Sequence, residues 1–157
     1  MSTVADYVGR TVDLLAFQNE KLGKEFLSTQ ILVADGERGE ITTGIQKLAQ
    51  RWLVEFLTVR GSIRALPTRG SRFISDIRIG NIRTTLDAEQ SFYLAARQVA
   101  QNLKLEEEDG IPTDEAYRAV ELISMTVTGD TIVAYIQLAS RAGNQAEFVF
   151  PIPIKVL

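Results

Sequence analysis

The chain has 157 residues, 45% of them hydrophobic and 24% charged, and it contains neither cysteine nor histidine. That length suits one domain with a real core. The two missing residue types exclude disulfides, thiolate nucleophiles, Ser–His and Cys–His hydrolases, and every Cys- or His-ligated metal or haem. With a net charge of −3, bulk electrostatics predicts no affinity for nucleic acid or for anionic membranes.

The first ten residues carry an early acid and no apolar core flanked by basic residues, so they do not read as a signal peptide. Apolar runs stay far below the ~20 residues that span a bilayer, and the expectation is a soluble chain made in a cytoplasm. Across residues 1–25, Val8, Val12 and Leu15 share a helical face and Gly23 offers a stop. Alternation at Leu27, Thr29, Ile31 and Val33 then predicts a short strand leading into the turn Asp35-Gly36. Residues 1–40 therefore read either as an arm on a domain spanning 41–157 or as a helix and strand packed into the same core.

The first strong helix is expected over 43–57, where Ile45, Leu48, Ala49, Trp52 and Phe56 make one apolar stripe and Thr42 or Thr43 can cap the start. Trp52, the single tryptophan, is a core residue on that stripe. Residues 58–84 lack sustained periodicity and hold Gly61, Pro67, Gly70 and Gly80. They also hold six of the twelve arginines, Arg60, Arg64, Arg69, Arg72, Arg78 and Arg83. Asp76 is the one acid there, a net of +5 that leaves −8 for the rest of the chain. This segregated charge could dock on an acidic protein partner, be neutralised internally, or grip phosphates. Only Phe73 is available for base stacking, and arginine is enriched at protein interfaces, so the protein partner is preferred.

A second helix is predicted over 87–104, with Asp87 as cap, Gln90 three residues later, and a stripe of Phe92, Ala95, Ala96, Val99 and Leu103. The acidic run Glu106–Asp109 should end it, since carboxylates at a helix C-terminus oppose the macrodipole. The run lacks the ligand spacing of a calcium loop. From Ala119 onward the pattern is strand. Glu121, Ile123, Met125 and Val127 alternate against Val120, Leu122, Ser124 and Thr126. Gly129-Asp130 then turns the chain, Ile132 to Leu138 return, and Phe148, Phe150, Ile152 and Ile154 alternate along a third strand. Pro151 and Pro153 share a parity, so one edge of that strand loses two successive donors. It must be a sheet edge or an extended apolar strap leaving the domain. The fold class is thus α+β, two amphipathic helices on a C-terminal three-stranded antiparallel meander.

No nucleotide-binding glycine pattern, P-loop lysine or Ser-x-x-Lys motif occurs, and no cofactor or metal is expected. A glycosidase needs a carboxylate in an apolar setting. Glu55 and Glu121 are the only candidates, and both read as solvent-face residues of amphipathic elements.

Residues 41–138 resemble the baseplate wedge and tail-sheath initiator family of contractile phage tails and related injection machines. The resemblance rests on a helix Ile45–Leu57 ending in Leu-Thr. Thr58, Gly61 and Ser62 follow, then Pro67, Gly70, Ser71 and Phe73, a second helix and a meander. The family's Glu-Pro-Arg triplet before the first meander strand is matched only by Glu115 and Arg118, without the proline and at longer spacing. The likeness covers roughly 100 of the 157 residues. It implies a non-enzymatic virion protein, present in several copies around the tail at the baseplate and assembled in the host cytoplasm. Such a protein would contact tail sheath, tail tube and wedge proteins and offer its sheet to sheath strands by β-augmentation. On that reading the partner-binding residues are the six arginines, Glu115, Arg118, Phe148, Phe150, Ile152 and Ile154. Alternatives are another virion connector, such as a neck or tail-completion protein, or a peptidoglycan-cleaving glycosidase.

Overall fold

A computed structural model describes residues 13–14, 41–107 and 110–154. Two short strands, β1 (Asp13–Leu14) and β2 (Ile41–Thr42), pair antiparallel. Where the expected N-terminal helix is described it is therefore extended, because Ile41–Thr42 supplies a hydrogen-bonding partner that a local helical pattern cannot signal. The expected strand at Leu27–Val33 and its turn lie outside the described residues.

Helix α1 spans Gly44–Leu57, with Leu48, Ala49, Trp52, Leu53 and Phe56 buried. Thr43 occupies the N-cap position without a side-chain cap bond. The Gly44 N–H instead donates 3.1 Å to Glu115 Oε1, a carboxylate 71 residues away. An anion suits the positive end of the helix dipole. A six-residue helix, α2 (Phe73–Arg78), interrupts the segment expected to be irregular. Helix α3 runs over Thr85–Glu106, two residues longer at each end than its stripe suggests. Its cap is Thr84, not Asp87. Asp87 N donates 3.1 Å to Thr84 Oγ1, and Thr84 N donates 2.9 Å to Asp87 Oδ2, a reciprocal capping box. At the other end the helix survives two acids because each is paired: Glu106 with Arg51 and Arg69, and Glu107 with Arg141.

Strands β3 (Tyr117–Thr128), β4 (Thr131–Ser140) and β5 (Gln145–Pro153) form the antiparallel meander in the order β3-β4-β5. Gly129, at φ +58, opens the two-residue turn between the first two. Along β4, Ile132, Ala134, Ile136 and Leu138 are buried while their neighbours are half-exposed. One face of the sheet carries the helices and the other has no covering layer among the described residues. Trp52 sits at the centre of the core. Its ring stacks on Phe56 at 4.8 Å and meets Phe148 and Phe150 edge-on at 6.3 and 6.4 Å, the geometries that aromatic quadrupoles favour.

The strand β5 is an edge. Pro151 faces Val133 and Pro153 faces Thr131 across the β4 pairing, so the missing N–H groups point away from the sheet. Ile154 N still donates 2.6 Å to Asp130 O, which continues the strand as an edge and not a departing strap.

Strand β3 does not follow one alternation. Its register against β4 slips between Tyr117 and Ala119 and again between Leu122 and Ser124. Each slip inserts one residue and reverses the facing that follows. Val120 and Leu122 therefore share the core face with Met125 and Val127, where a regular strand would have put them on opposite faces.

Candidate partner-binding surfaces

The arginine segment is built around a buried carboxylate. Glu55 lies three residues after Trp52 and so on the inner stripe of α1, with a side chain only 4% exposed. Arg69 Nε donates to its Oε2 at 2.8 Å and Gly70 N to its Oε1 at 2.7 Å. Asn102 Nδ2, from α3, donates to Oε1 at 2.5 Å. The Arg69 guanidinium also pairs with Glu106, tying α1, the loop and α3 together. The reading of Glu55 as a solvent-face residue is thereby corrected. A carboxylate on an apolar helical stripe is the available signal, and its partners lie 14 to 47 residues away in sequence.

Burial alone would raise the Glu55 pKa. The hydrogen bonds from Arg69, Gly70 and Asn102, with the arginine charge, outweigh it and hold the carboxyl below its ordinary value of 4.5. Glu55 is thus ionised at neutral pH, the wrong state for a general acid. A carboxyl whose pKa is depressed by folding contributes stability that is fully present above its unfolded pKa and lost as pH falls through the folded one. Glu55→Gln, which cannot titrate, should be clearly less stable than the unaltered chain at pH 7. Urea unfolding should show that gap narrowing below pH 4.5. A gap independent of pH would refute the assignment.

Between α1 and α2 the chain leaves and returns as a pinned loop. Ser71 N donates 2.9 Å to Thr58 O, and Arg60 N donates 3.0 Å to Ser71 O. The buried Ser71 hydroxyl donates 2.6 Å to Phe56 O and accepts from Phe73 N at 3.2 Å. Gly61 turns the chain at φ +81, and Pro67 is exposed. Within this frame the six arginines do not form one patch. Arg69 is internal, and Arg72 grips Asp76 at 3.2 Å, a carboxylate that also accepts from Ser91 on α3. Arg83 donates from Nε to Gly80 O while remaining exposed. Arg60, Arg64 and Arg78 are exposed and form no ion pair among the described residues. Beside them Ile63, Leu66 and Ile79 are 42%, 53% and 68% exposed. Such mixed arginine and aliphatic character is what protein interfaces use.

Other expected contact residues are corrected by the structure. Phe148, Phe150 and Ile152 are at most 5% exposed, because their parity turns them toward the helices. Ile154 packs half-buried on the same core. Glu115 is buried, accepting from Gly44 N and pairing with Lys47 Nζ at 3.0 Å. Arg118 alone of that pair is exposed. Glu121, also exposed, lines an open hollow of about 260 Å³ on the uncovered sheet face with Arg118, Gln137 and Gln145. Beside it, Glu147 accepts from Tyr135 Oη at 2.6 Å and Gln137 Nε2 at 2.7 Å.

No family model matches this chain, and no curated protein matches it. Among solved structures it is similar to a crystal structure described as a "putative tail lysozyme" from Geobacter sulfurreducens. The two are 19% identical with a TM-score of 0.41, over 71% of this chain and 91% of that one. Among the described residues no helix is long and apolar enough to cross a membrane, and no group of three or more metal-ligating side chains is placed to hold a metal ion.

Proposed function

We propose that this chain is a non-enzymatic structural subunit of a contractile tail baseplate, on which sheath assembly starts by strand addition to the free edge of β3. The carrying observation is the asymmetry of the sheet. β5 loses outward donors at Pro151 and Pro153, and its inward residues are already buried. β3 holds twelve residues without a proline and pairs on one side only among the described residues. Its inward Val120, Leu122 and Val127 are only partly buried. A strand added to β3 would satisfy open backbone groups and finish burying those side chains, gains that β5 no longer offers. The helix, pinned loop, helix and meander order, with Thr58, Gly61, Pro67, Gly70 and Ser71, supports the same reading through the family resemblance.

The exposed Arg60, Arg64, Arg78 and Arg83 would then meet an acidic wedge or tube neighbour. Changing all four to Glu should leave the monomer folded by circular dichroism and abolish its incorporation into baseplates in a complementation assay. Normal incorporation of that variant would remove the arginine surface from the proposal. Arg69 and Arg72 are excluded from the test because they hold the fold. A peptidoglycan turnover assay covers the enzymatic alternative. No cleavage is expected, and cleavage abolished by Glu55→Gln or Glu121→Gln would overturn the structural role.

A further inference from the structure

The two slips in the β3–β4 ladder leave Arg118 and Ile123 as inserted residues. Both are exposed, Ile123 to 43%. Arg118 forms no ion pair among the described residues. It lines the hollow together with Ala119, Ala139 and Gly143. Bulges break an edge and increase its twist, which blunts it against promiscuous pairing. The free edge of β3 is thereby cut into two regular stretches, Ala119–Leu122 and Ser124–Thr128. A strand joining both must match the interruption between them.

We propose that Arg118 and Ile123 set the register of the strand that joins β3, admitting an extended segment with a carboxylate side chain for Arg118 and an apolar one over Ile123. The inference rests on strand addition at β3. A one-residue slip of the incoming strand turns its apolar face to solvent. A two-residue slip keeps the faces but takes the carboxylate away from the guanidinium, whose planar fork otherwise holds it with two charge-assisted hydrogen bonds. Glu121 lines the same hollow without pairing with Arg118, so among the described residues no carboxylate occupies the guanidinium. Removing Ile123 should restore plain alternation. Val120, Leu122, Met125 and Val127 would then face the core in one uninterrupted phase, and the edge would lose its landmark.

The absence of cysteine makes the test clean. Thr126→Cys on β3 is paired with a scan of single cysteines along the terminal arms of the purified sheath subunit, and disulfide crosslinks report the register. One dominant position is expected for the otherwise unaltered chain. Arg118→Glu should reduce its yield by about tenfold, the weight of a hydrogen bond to a charged group, and Arg118→Lys should restore part of it. Deletion of Ile123 should spread the crosslinks over positions two residues apart. Crosslinks unchanged in position and yield in Arg118→Glu would overturn the inference while leaving strand addition intact, and this exposed substitution decides even if the deletion fails to fold. Absence of any crosslink in the unaltered pair would overturn both.

Discussion

Arg69→Ala should lower the melting temperature by roughly 10 °C at pH 7, from the cost of stranding a buried charge and the entropy of unfolding a domain of this size. The substitution leaves Glu55 ionised, almost fully buried, and held among the described residues by Gly70 N and Asn102. It also releases Glu106 from its bridge to the loop. Arg69→Lys should recover only part of the loss, since an ammonium cannot span two carboxylates as a guanidinium does. Combining Glu55→Gln with Arg69→Ala should cost less than Arg69→Ala alone, because no unpaired charge remains. Thermal unfolding followed by circular dichroism checks all three, and a shift below about 2 °C for Arg69→Ala would fall outside the range for a buried pair.

Gly70→Ala should be at least as damaging, at about 4 kcal/mol or more, the range reserved for strain and overpacking at a special backbone position. A methyl there would sit 2.5 Å from Thr58 O and 3.0 Å from Arg60 N, with φ at +89. Both neighbours are backbone and belong to the pairing that closes the loop, so neither can swing aside. Gly80→Ala is the internal control. Its φ is +75 but nothing lies within 4 Å of the new methyl, so only the conformational cost of about 1–2 kcal/mol applies. Denaturant unfolding of the two variants separates backbone strain from steric contact, and equal losses would mean that the close approach to Thr58 is unimportant. Amide exchange at Ser71, whose N–H donates to Thr58 O, should accelerate in Gly70→Ala alone.

Much of this fold was legible because its signals are local. The stripe from Leu48 to Phe56, the turn at Gly129-Asp130 and the alternation of Ile132 to Leu138 each follow from the period of one element. The cap of α3 is Thr84, three residues before Asp87; both have capping chemistry, and only the backbone geometry tells cap from third position. The candidate site is written less locally. Phe148, Phe150 and Ile152 alternate as an apolar row that fits a partner groove and a core equally well, and burial beneath α1 settled the choice. Arg69 looks no different in sequence from Arg60 and Arg64, yet its partners Glu55 and Glu106 meet it only after the helices pack, whereas Arg72 and Asp76 are a local pair four residues apart.

By itself the sequence determined what this chain's chemistry must do without, titrating imidazole and thiol, and that β5 cannot lie inside a sheet, since two prolines of one parity cannot donate on both sides. Pairing with β4, continued at Ile154, made it an edge and not a strap. Tertiary structure alone decided the phase of β3. Apolar residues at 120 and 122 and again at 125 and 127 cannot face one core in a regular strand. Burial against α3 and β4 overrides the alternation by expelling Ile123. It likewise set Arg69 apart from the exposed arginines, because Glu55 and Glu106 reach it through space and distance along the chain carries no record of that.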